Sequence, residues 1–365
     1  MYFLPISTAF YCIVQLYIPS NTRKIDNMPE EKSLGTFEKY LALWVAACMA
    51  AGLILSQTLP GLSASLNAWQ IRGISVPIGI CLFLMMYPAL LNLQLSELRK
   101  LMRNPKPIFL TIFSNWIVAP IVTVLLARYF LVGYDQLIVS LILLGSSPCT
   151  AMVFVWGSLA EGNQEQNVIN TSLNTISIVV LYAPIVSLLT GIQNIPIDRE
   201  LLVLSVIVFI GAPMLIGYIS KRYLVESRGE TWFNEIYKPA ISKVSMIALL
   251  TTLIVLFSLN GDVLLNNPGL ILKVSTPLIL GFIIVVGFNL IATRVIGLAY
   301  REAIISVIIG SSSHFEIAIA TAISLYGVGS QAALGTTMGL FWEVPIMLGL
   351  VSIGKWLNTR GYWDK

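Results

Sequence analysis

The chain has 365 residues, 56% of them hydrophobic and only 11% charged, with a mean hydropathy of +0.83. A soluble domain carries roughly 25% charge, so this chain has too little to cover a water-facing surface, and the solvent for most of its exterior is lipid. The net charge of +4 is small, and no basic tract with interleaved aromatics points to nucleic acid.

Residues 1–19 are apolar but lack the basic flank and cleavage site of a signal peptide. Met28 opens a polar lead-in, MPEEKSLGTFEKY. Residues 1–39 therefore read as an N-terminal extension with the true start expected at Met28; an eleventh span over the first segment is the rival reading. A membrane-crossing helix needs about 20 apolar residues. Ten segments qualify: 40–59, 73–93, 107–131, 136–160, 168–190, 200–219, 240–258, 272–297, 301–325 and 331–353. Polar residues, Gly and Pro separate them, as at Leu59-Pro60-Gly61 and Asn266-Asn267-Pro268-Gly269.

The charges support this threading. With a cytoplasmic N-terminus, 18 of the 22 Lys and Arg residues fall on the inside, and only Arg72, Arg128, Arg199 and Lys273 fall outside. Basic residues are enriched in cytoplasmic loops, so both termini are expected inside the cell, and the chain in the plasma or inner membrane.

The chain also repeats itself. Gly145-Ser146-Ser147-Pro148-Cys149 in span 4 matches Gly310-Ser311-Ser312-Ser313-His314 in span 9. Tyr182-Ala183-Pro184-Ile185 in span 5 matches Glu343-Val344-Pro345-Ile346 in span 10. Two halves of five spans follow, 40–190 and 191–365. Five is odd, so the second half is inverted relative to the first, a plan common among alternating-access carriers. The expected fold is an all-α membrane protein of ten helices in an inverted 5+5 repeat, with broken, crossing helices in spans 4 and 9.

Gly145, Pro148 and Gly310 mark those breaks. Pro148 removes a backbone donor and disfavours helix at Ser147. Freed backbone groups are tolerated in a membrane only where protein or a water-filled cavity satisfies them. Two kinked helices with serine back-bonding would account for the sequence, and so would a pair of broken helices meeting at a substrate site. Glu316 and Glu343 lie within spans 9 and 10. A charge at the bilayer centre costs at least about 2.5–3.5 kcal/mol, so each either works on ions or protons or serves as a protonated helix–helix contact. Asn115-Trp116 in span 3, and Asn170 and Asn174 one turn apart in span 5, are embedded polar groups that bind a solute or bond neighbouring helices.

Cys12, Cys48, Cys81 and Cys149 lie in apolar segments, and no C-x-x-C pair occurs. That argues against a disulfide framework and a zinc site, and the single histidine, His314, rules out a multi-His metal centre. No metal or cofactor is expected. Neither H-E-x-x-H nor G-x-S-x-G is present, so enzyme chemistry is not expected either. Cys12, Cys48 and Cys81 read as packing. Cys149 differs because it follows a break and precedes Thr150, where its sulfur is either packing or a soft ligand for a thiophilic solute.

The stretch Pro148-Cys149-Thr150-Ala151-Met152-Val153-Phe154-Val155-Trp156, followed by Gly162-Asn163, resembles the span-4 signature of the arsenical-resistance permeases. These are arsenite efflux carriers of the bile acid, arsenite and riboflavin transporter superfamily. Asn115-Trp116, Phe315-Glu316-Ile317-Ala318-Ile319-Ala320 and Glu343-Val344-Pro345-Ile346-Met347 also resemble their motifs, and the likeness covers residues 36–360. The resemblance implies export of arsenite, and of antimonite, against protons, with Cys149 and Glu343 at the positions held essential. As(III) would sit on the Cys149 thiol. Ser147, Thr150, Asn115, Trp116, His314 and Glu316 are expected around the solute, and Glu343 or Glu316 is expected to carry the proton. Arsenite at neutral pH is mostly an uncharged trihydroxide, so membrane potential alone does not drive it. Exchange for one proton supplies roughly 2.3 kcal/mol per 100 mV, about fifty-fold in concentration. The chain departs from the family pattern at His314, where Asn is expected, and at Trp342, where an aliphatic residue is expected. A carrier of the same superfamily with another solute, such as a sodium-coupled organic anion, is the alternative; a thiol has no evident role for a carboxylate solute.

The charge asymmetry predicts that a reporter active only in the periplasm stays silent when fused after Lys365. A bright signal from that fusion would overturn the inside C-terminus and the even number of spans.

Overall fold

The computed structural model describes residues 40–58, 69–71, 74–91, 104–150, 152–266, 268–327 and 329–364. Met28 and the segment around it, Cys12, and the turn at Leu59-Pro60-Gly61 lie outside the described residues.

Helices account for nearly all of the described chain. In order they are α1 (Leu41–Thr58), α2 (Val76–Leu91), α3 (Pro105–Phe130), α4 (Asp135–Gly145), α5 (Val153–Leu159), α6 (Gln164–Ile192), α7 (Arg199–Arg228), α8 (Lys238–Asn266), α9 (Pro268–Ile296), α10 (Tyr300–Ser311), α11 (Phe315–Tyr326) and α12 (Gln331–Thr359). The described strands are a two-residue antiparallel ribbon, β1 (Gln70–Ile71) with β2 (Ile74–Ser75), which leads into α2. Among the described residues, six helices are long and apolar enough to cross a membrane: α3, α6, α7, α8 with its lead-in turn, α9 and α12. The protein is an all-helical, multi-pass membrane protein. Its outer surface carries large exposed apolar side chains such as Phe109, Leu125, Val180, Leu272 and Val295, which in water would be a liability and in lipid are matched to their solvent.

Local chemistry sets the helix starts. Asn163 caps α6 by accepting from the Gln166 amide, Asp198 caps α7 by accepting from Glu200 and Leu201, and Ser330 caps α12 by accepting from Ala333. Each side-chain oxygen satisfies an amide the helix leaves unpaired. Within the helices, prolines set the irregularities. Three π-turns, Ser114–Val118, Ile207–Gly211 and Phe233–Tyr237, each end one residue before Ala119-Pro120, Ala212-Pro213 or Lys238-Pro239. A proline ring clashes with the carbonyl four residues back. Widening the preceding turn moves that carbonyl away, and the residue before each proline bonds five back, Ala119 to Ser114, Ala212 to Ile207 and Lys238 to Phe233.

Two sets of helices pack together. In one, α8 lies on α1 and α2, and α2 lies on α7. In the other, α12 packs on α4, α11 and α9, while α9 packs on α10 and α3. The α4–α12 contact is close because Gly339 faces Leu144; a Cβ there would lie 2.6 Å from Leu144 Cδ1. Basic residues at helix ends rest on aromatic rings, Lys273 over Tyr134 at 4.3 Å and Arg294 over Tyr362 at 4.5 Å. Such pairs suit the interfacial zone, where one end of the side chain is apolar and the other wet.

Replacing Gly339 by Leu is expected to destabilise the protein by about 1–3 kcal/mol through overpacking against Leu144. Gly349→Ala in the same helix, where nothing lies within 4 Å, is expected to be neutral or slightly stabilising. Melting temperatures of the two variants in detergent check this; equal melting would disprove the close α4–α12 contact.

Candidate functional site

Two helices are interrupted, and the interruptions face each other. The first runs α4, then residues 146–150, with Met152 leading into α5; the second runs α10, then residues 312–314, then α11. Pro148 and Ser313 pair as an antiparallel bridge. The Cys149 amide donates to the Ser312 carbonyl at 3.3 Å, and the His314 amide donates to the Ser147 carbonyl at 2.6 Å. The two breaks thus answer part of each other's backbone demand, and true interruptions rather than kinks account for the sequence signal. Back-bonding is also present: Ser147 Oγ donates to the Leu144 carbonyl at 2.9 Å.

Amide side chains meet other carbonyls at the breaks. Asn174 Nδ2 donates to the Cys149 carbonyl at 3.1 Å, and Asn167 Nδ2 donates to the Val153 carbonyl in the first turn of α5 at 3.0 Å. At the end of α10, the Gly310 carbonyl accepts from Ser114 Oγ at 2.8 Å and from Asn289 Nδ2 at 3.2 Å. Asn289 fits there because residue 310 is glycine; a Cβ would lie 2.8 Å from Asn289 Oδ1. Asn170 and Asn174, one turn apart, both reach α3. Asn170 bonds Thr111 Oγ1 at 3.2 Å, and Asn174 Oδ1 accepts from Asn115 Nδ2 at 3.2 Å. Trp116 Nε1 donates to Ser177 Oγ at 3.1 Å, so part of the embedded polar signal is helix–helix bonding.

Glu343 is 2% exposed, and three donors surround it. Its Oε1 accepts from Ser312 Oγ at 2.5 Å and from the Ser313 amide at 3.0 Å, and its Oε2 accepts from Ser313 Oγ at 2.5 Å. A buried carboxylate is costly unless hydrogen bonds replace its water, and here the second break supplies them. Glu316 takes a different partner: its Oε2 lies 2.7 Å from His314 Nδ1, and both side chains are buried. Nε2 of His314 has no hydrogen-bond partner among the described residues, nor do the hydroxyls of Ser146 and Thr150.

A cavity lies beside the bridge, between α3, α4, α9, α10 and α12. Its polar lining is Asn115, Thr123, Ser147 and Ser311–Ser313; the rest is apolar or glycine, with Pro277, Leu278, Phe282 and Val285 prominent and Gly145 and Gly310 at the breaks. No Asp, Glu, Lys, Arg or His lines it. Of the residues singled out in the sequence, Asn115, Ser147, Gly145 and Gly310 line this cavity. Cys149, Thr150, Trp116, His314, Glu316 and Pro148 do not. Cys149 is 1% exposed and lies one residue beyond the bridge, and Glu343 touches the cavity only through its serines. Among the described residues no cluster of His, Cys, Asp and Glu could hold a metal ion.

Sequence reasoning missed Asn289, Ser114 and Thr123, and quoted Ser312 and Ser313 without giving them a role. Asn289 carried a signal, an amide inside the apolar run Gly281–Leu290, and such embedded polar groups face protein rather than lipid. Serines carry little, because a lone hydroxyl inserts at low cost and bonds its own helix.

An all-helical membrane protein whose two interrupted helices meet beside a largely apolar cavity with a few hydroxyl and amide groups falls in the class of membrane transporters. Residues 79–267 match the sodium bile acid symporter family. The chain is 38% identical over 347 residues to an uncharacterized transporter of Synechocystis sp., covering 88% of this chain and 89% of that one. It is 34% identical over 344 residues to the arsenical-resistance protein Acr3 of Alkaliphilus metalliredigens, covering 92% of this chain and 96% of that one. To the arsenical-resistance protein Acr3 of Corynebacterium glutamicum it is 31% identical over 332 residues, covering 88% and 90%. The chain belongs to the sodium bile acid symporter family, in its arsenical-resistance permease branch.

The Asn289 amide predicts a stability effect. Asn289→Leu removes a donor from the Gly310 carbonyl and from Ser311 Oγ, which lies 3.2 Å away, and is expected to cost about 1–3 kcal/mol. Thermal unfolding in detergent measures this, and an unchanged midpoint would show that Ser114 alone suffices.

Proposed function

We propose that this protein is a secondary carrier that exports arsenite, and antimonite, from the cytosol in exchange for protons. In this reading it spans the plasma or inner membrane ten times, as inverted halves 40–190 and 191–365, with both termini in the cytoplasm. The observation that carries the choice of solute is the uncharged lining of the cavity: hydroxyls, one amide and apolar surface, with no cation. An organic anion calls for a positive partner, because an unpaired charge in such a site is heavily penalised. A small neutral trihydroxide needs only donors and acceptors. The arsenical-resistance names of two relatives support the same reading.

The roles follow from position. The hydroxyls of Ser147, Ser312 and Ser313 and the amide of Asn115 hold the solute's hydroxyl groups. Cys149 supplies a soft sulfur for As(III) when the bridge parts, and Thr150 and Trp116 shape the walls beside it. His314 and Glu316 form a buried pair at the second break. Glu343 carries the proton. Deprotonated, it holds the hydrogens of Ser312 and Ser313 and leaves their lone pairs facing the cavity; protonation alters that hold, so solute and proton compete. The runner-up is a sodium-coupled carrier for an organic anion. It is disfavoured by the cavity lining.

The test is arsenite movement in everted vesicles from a host stripped of its own exporters. Cys149→Ser is expected to abolish transport with the protein still in the membrane, whereas Cys48→Ser and Cys81→Ser retain most of it. Glu343→Gln keeps the shape and removes the titration, so pH-driven accumulation stops. Equal tolerance of all three serine variants would remove the thiol from the mechanism. Normal proton-driven transport by Glu343→Gln, with loss in Glu316→Gln, would move the proton to Glu316.

A further inference from the structure

The Ser312-Ser313 dipeptide touches both ends of the site. The Ser312 carbonyl accepts the Cys149 amide at 3.3 Å while its hydroxyl donates to Glu343 at 2.5 Å. Ser313 bridges Pro148 in the first break and grips Glu343 twice, through its amide at 3.0 Å and its hydroxyl at 2.5 Å. Both serines also line the cavity. Ser312 thus hydrogen-bonds both to the backbone beside the thiol and to the buried carboxylate.

We propose that Ser312 and Ser313 are the positioning residues that couple solute to proton. This rests on the reading of Glu343 as the proton carrier. Each serine hydroxyl has one hydrogen to give. While Glu343 is deprotonated, both hydrogens point at its oxygens, leaving the hydroxyl lone pairs toward the cavity as acceptors for a solute hydroxyl. When a proton binds, it forms an O–H bond on a carboxyl oxygen. The serine that donated to that oxygen loses its acceptor, turns, and accepts the new O–H instead. No other bond forms or breaks. One of that serine's two lone pairs is taken by the carboxyl O–H and its hydrogen swings free, so it offers the solute one acceptor fewer and the solute's donating hydroxyl is held less tightly. The titratable group whose field reaches Glu343 is Glu316 on α11, and behind it His314 at 2.7 Å from Glu316. Both remain in place in this exchange, so the serines alone link cavity and carboxyl.

The experiment compares two fluxes in the same vesicles: arsenite accumulation driven by an imposed pH gradient, and downhill arsenite counterflow with no gradient. Ser313→Ala is expected to lower the ratio of driven to downhill flux roughly tenfold, the scale of one hydrogen bond to a charged group. Ser313→Thr keeps the hydroxyl and restores the ratio. A merely structural role would lower both fluxes together and leave the ratio unchanged, which overturns the inference. Glu343→Gln separates the two layers. A collapsed ratio in Glu343→Gln with a normal ratio in Ser313→Ala overturns the coupling role alone, whereas a normal ratio in Glu343→Gln overturns the proton reading and this inference with it. Should Ser313→Ala fail to reach the membrane, Ser312→Ala, which keeps the carbonyl bond to Cys149, gives the same comparison. Absence of both variants from the membrane would make the pair a folding element and overturn the coupling role.

Discussion

Every backbone amide and carbonyl inside a bilayer must find a partner within the protein, because lipid offers none. A continuous helix meets that demand locally. An interrupted helix does not, and most of what surrounds the site follows from that deficit. The breaks after Gly145 and after Ser311 are spliced to one another through Pro148 and Ser313, and further groups are met by Asn174, Asn289 and Ser114 from three other helices. The embedded amides are therefore partly scaffolding, and the cavity exists because the breaks are held open and paired.

The same splice accounts for the contrast between the two buried carboxyls. Glu343 lies on an unbroken helix, α12, and borrows three donors from the second break. Hydrogen bonds to a charged group are worth about 1.5–3 kcal/mol each, enough together to offset a large part of the cost of a charge at this depth. Glu316 is held by its neighbour two residues away, His314. One carboxyl is wired to the cavity lining and the other to its own helix start.

The bridge is also modest in strength. Two backbone bonds, at 3.3 and 2.6 Å, connect the breaks, and a typical net contribution is about 0.5–1.5 kcal/mol per bond. An equilibrium of that size shifts with a ligand of moderate differential affinity. Cys149 is buried just beyond this bridge. Proline-induced π-turns add further irregular turns in α3, α7 and the lead-in to α8.

Composition and hydropathy determined that this chain lives in lipid as helices, because its apolar runs are continuous over about 20 residues, whereas a barrel strand alternates apolar and polar. Gly145, Pro148 and Gly310 announced the breaks, and Asn115, Asn174 and Glu343 announced polar business inside the membrane, since each is costly there unless used. The tertiary structure decided which of these meet. Serines at 312 and 313 look ordinary in a helix-breaking run, and only folding carries α12 across them so that Glu343 receives their hydrogens. Asn289 is one amide in an apolar stretch until packing sets it against a glycine whose missing side chain admits it. Cys149 stood out in sequence beside the break, yet its burial behind the bridge comes from contacts 163 residues away, at Ser312. Local periodicity reports what a residue costs in a membrane; which partner repays that cost depends on contacts distant in sequence, and those exist only in the folded chain.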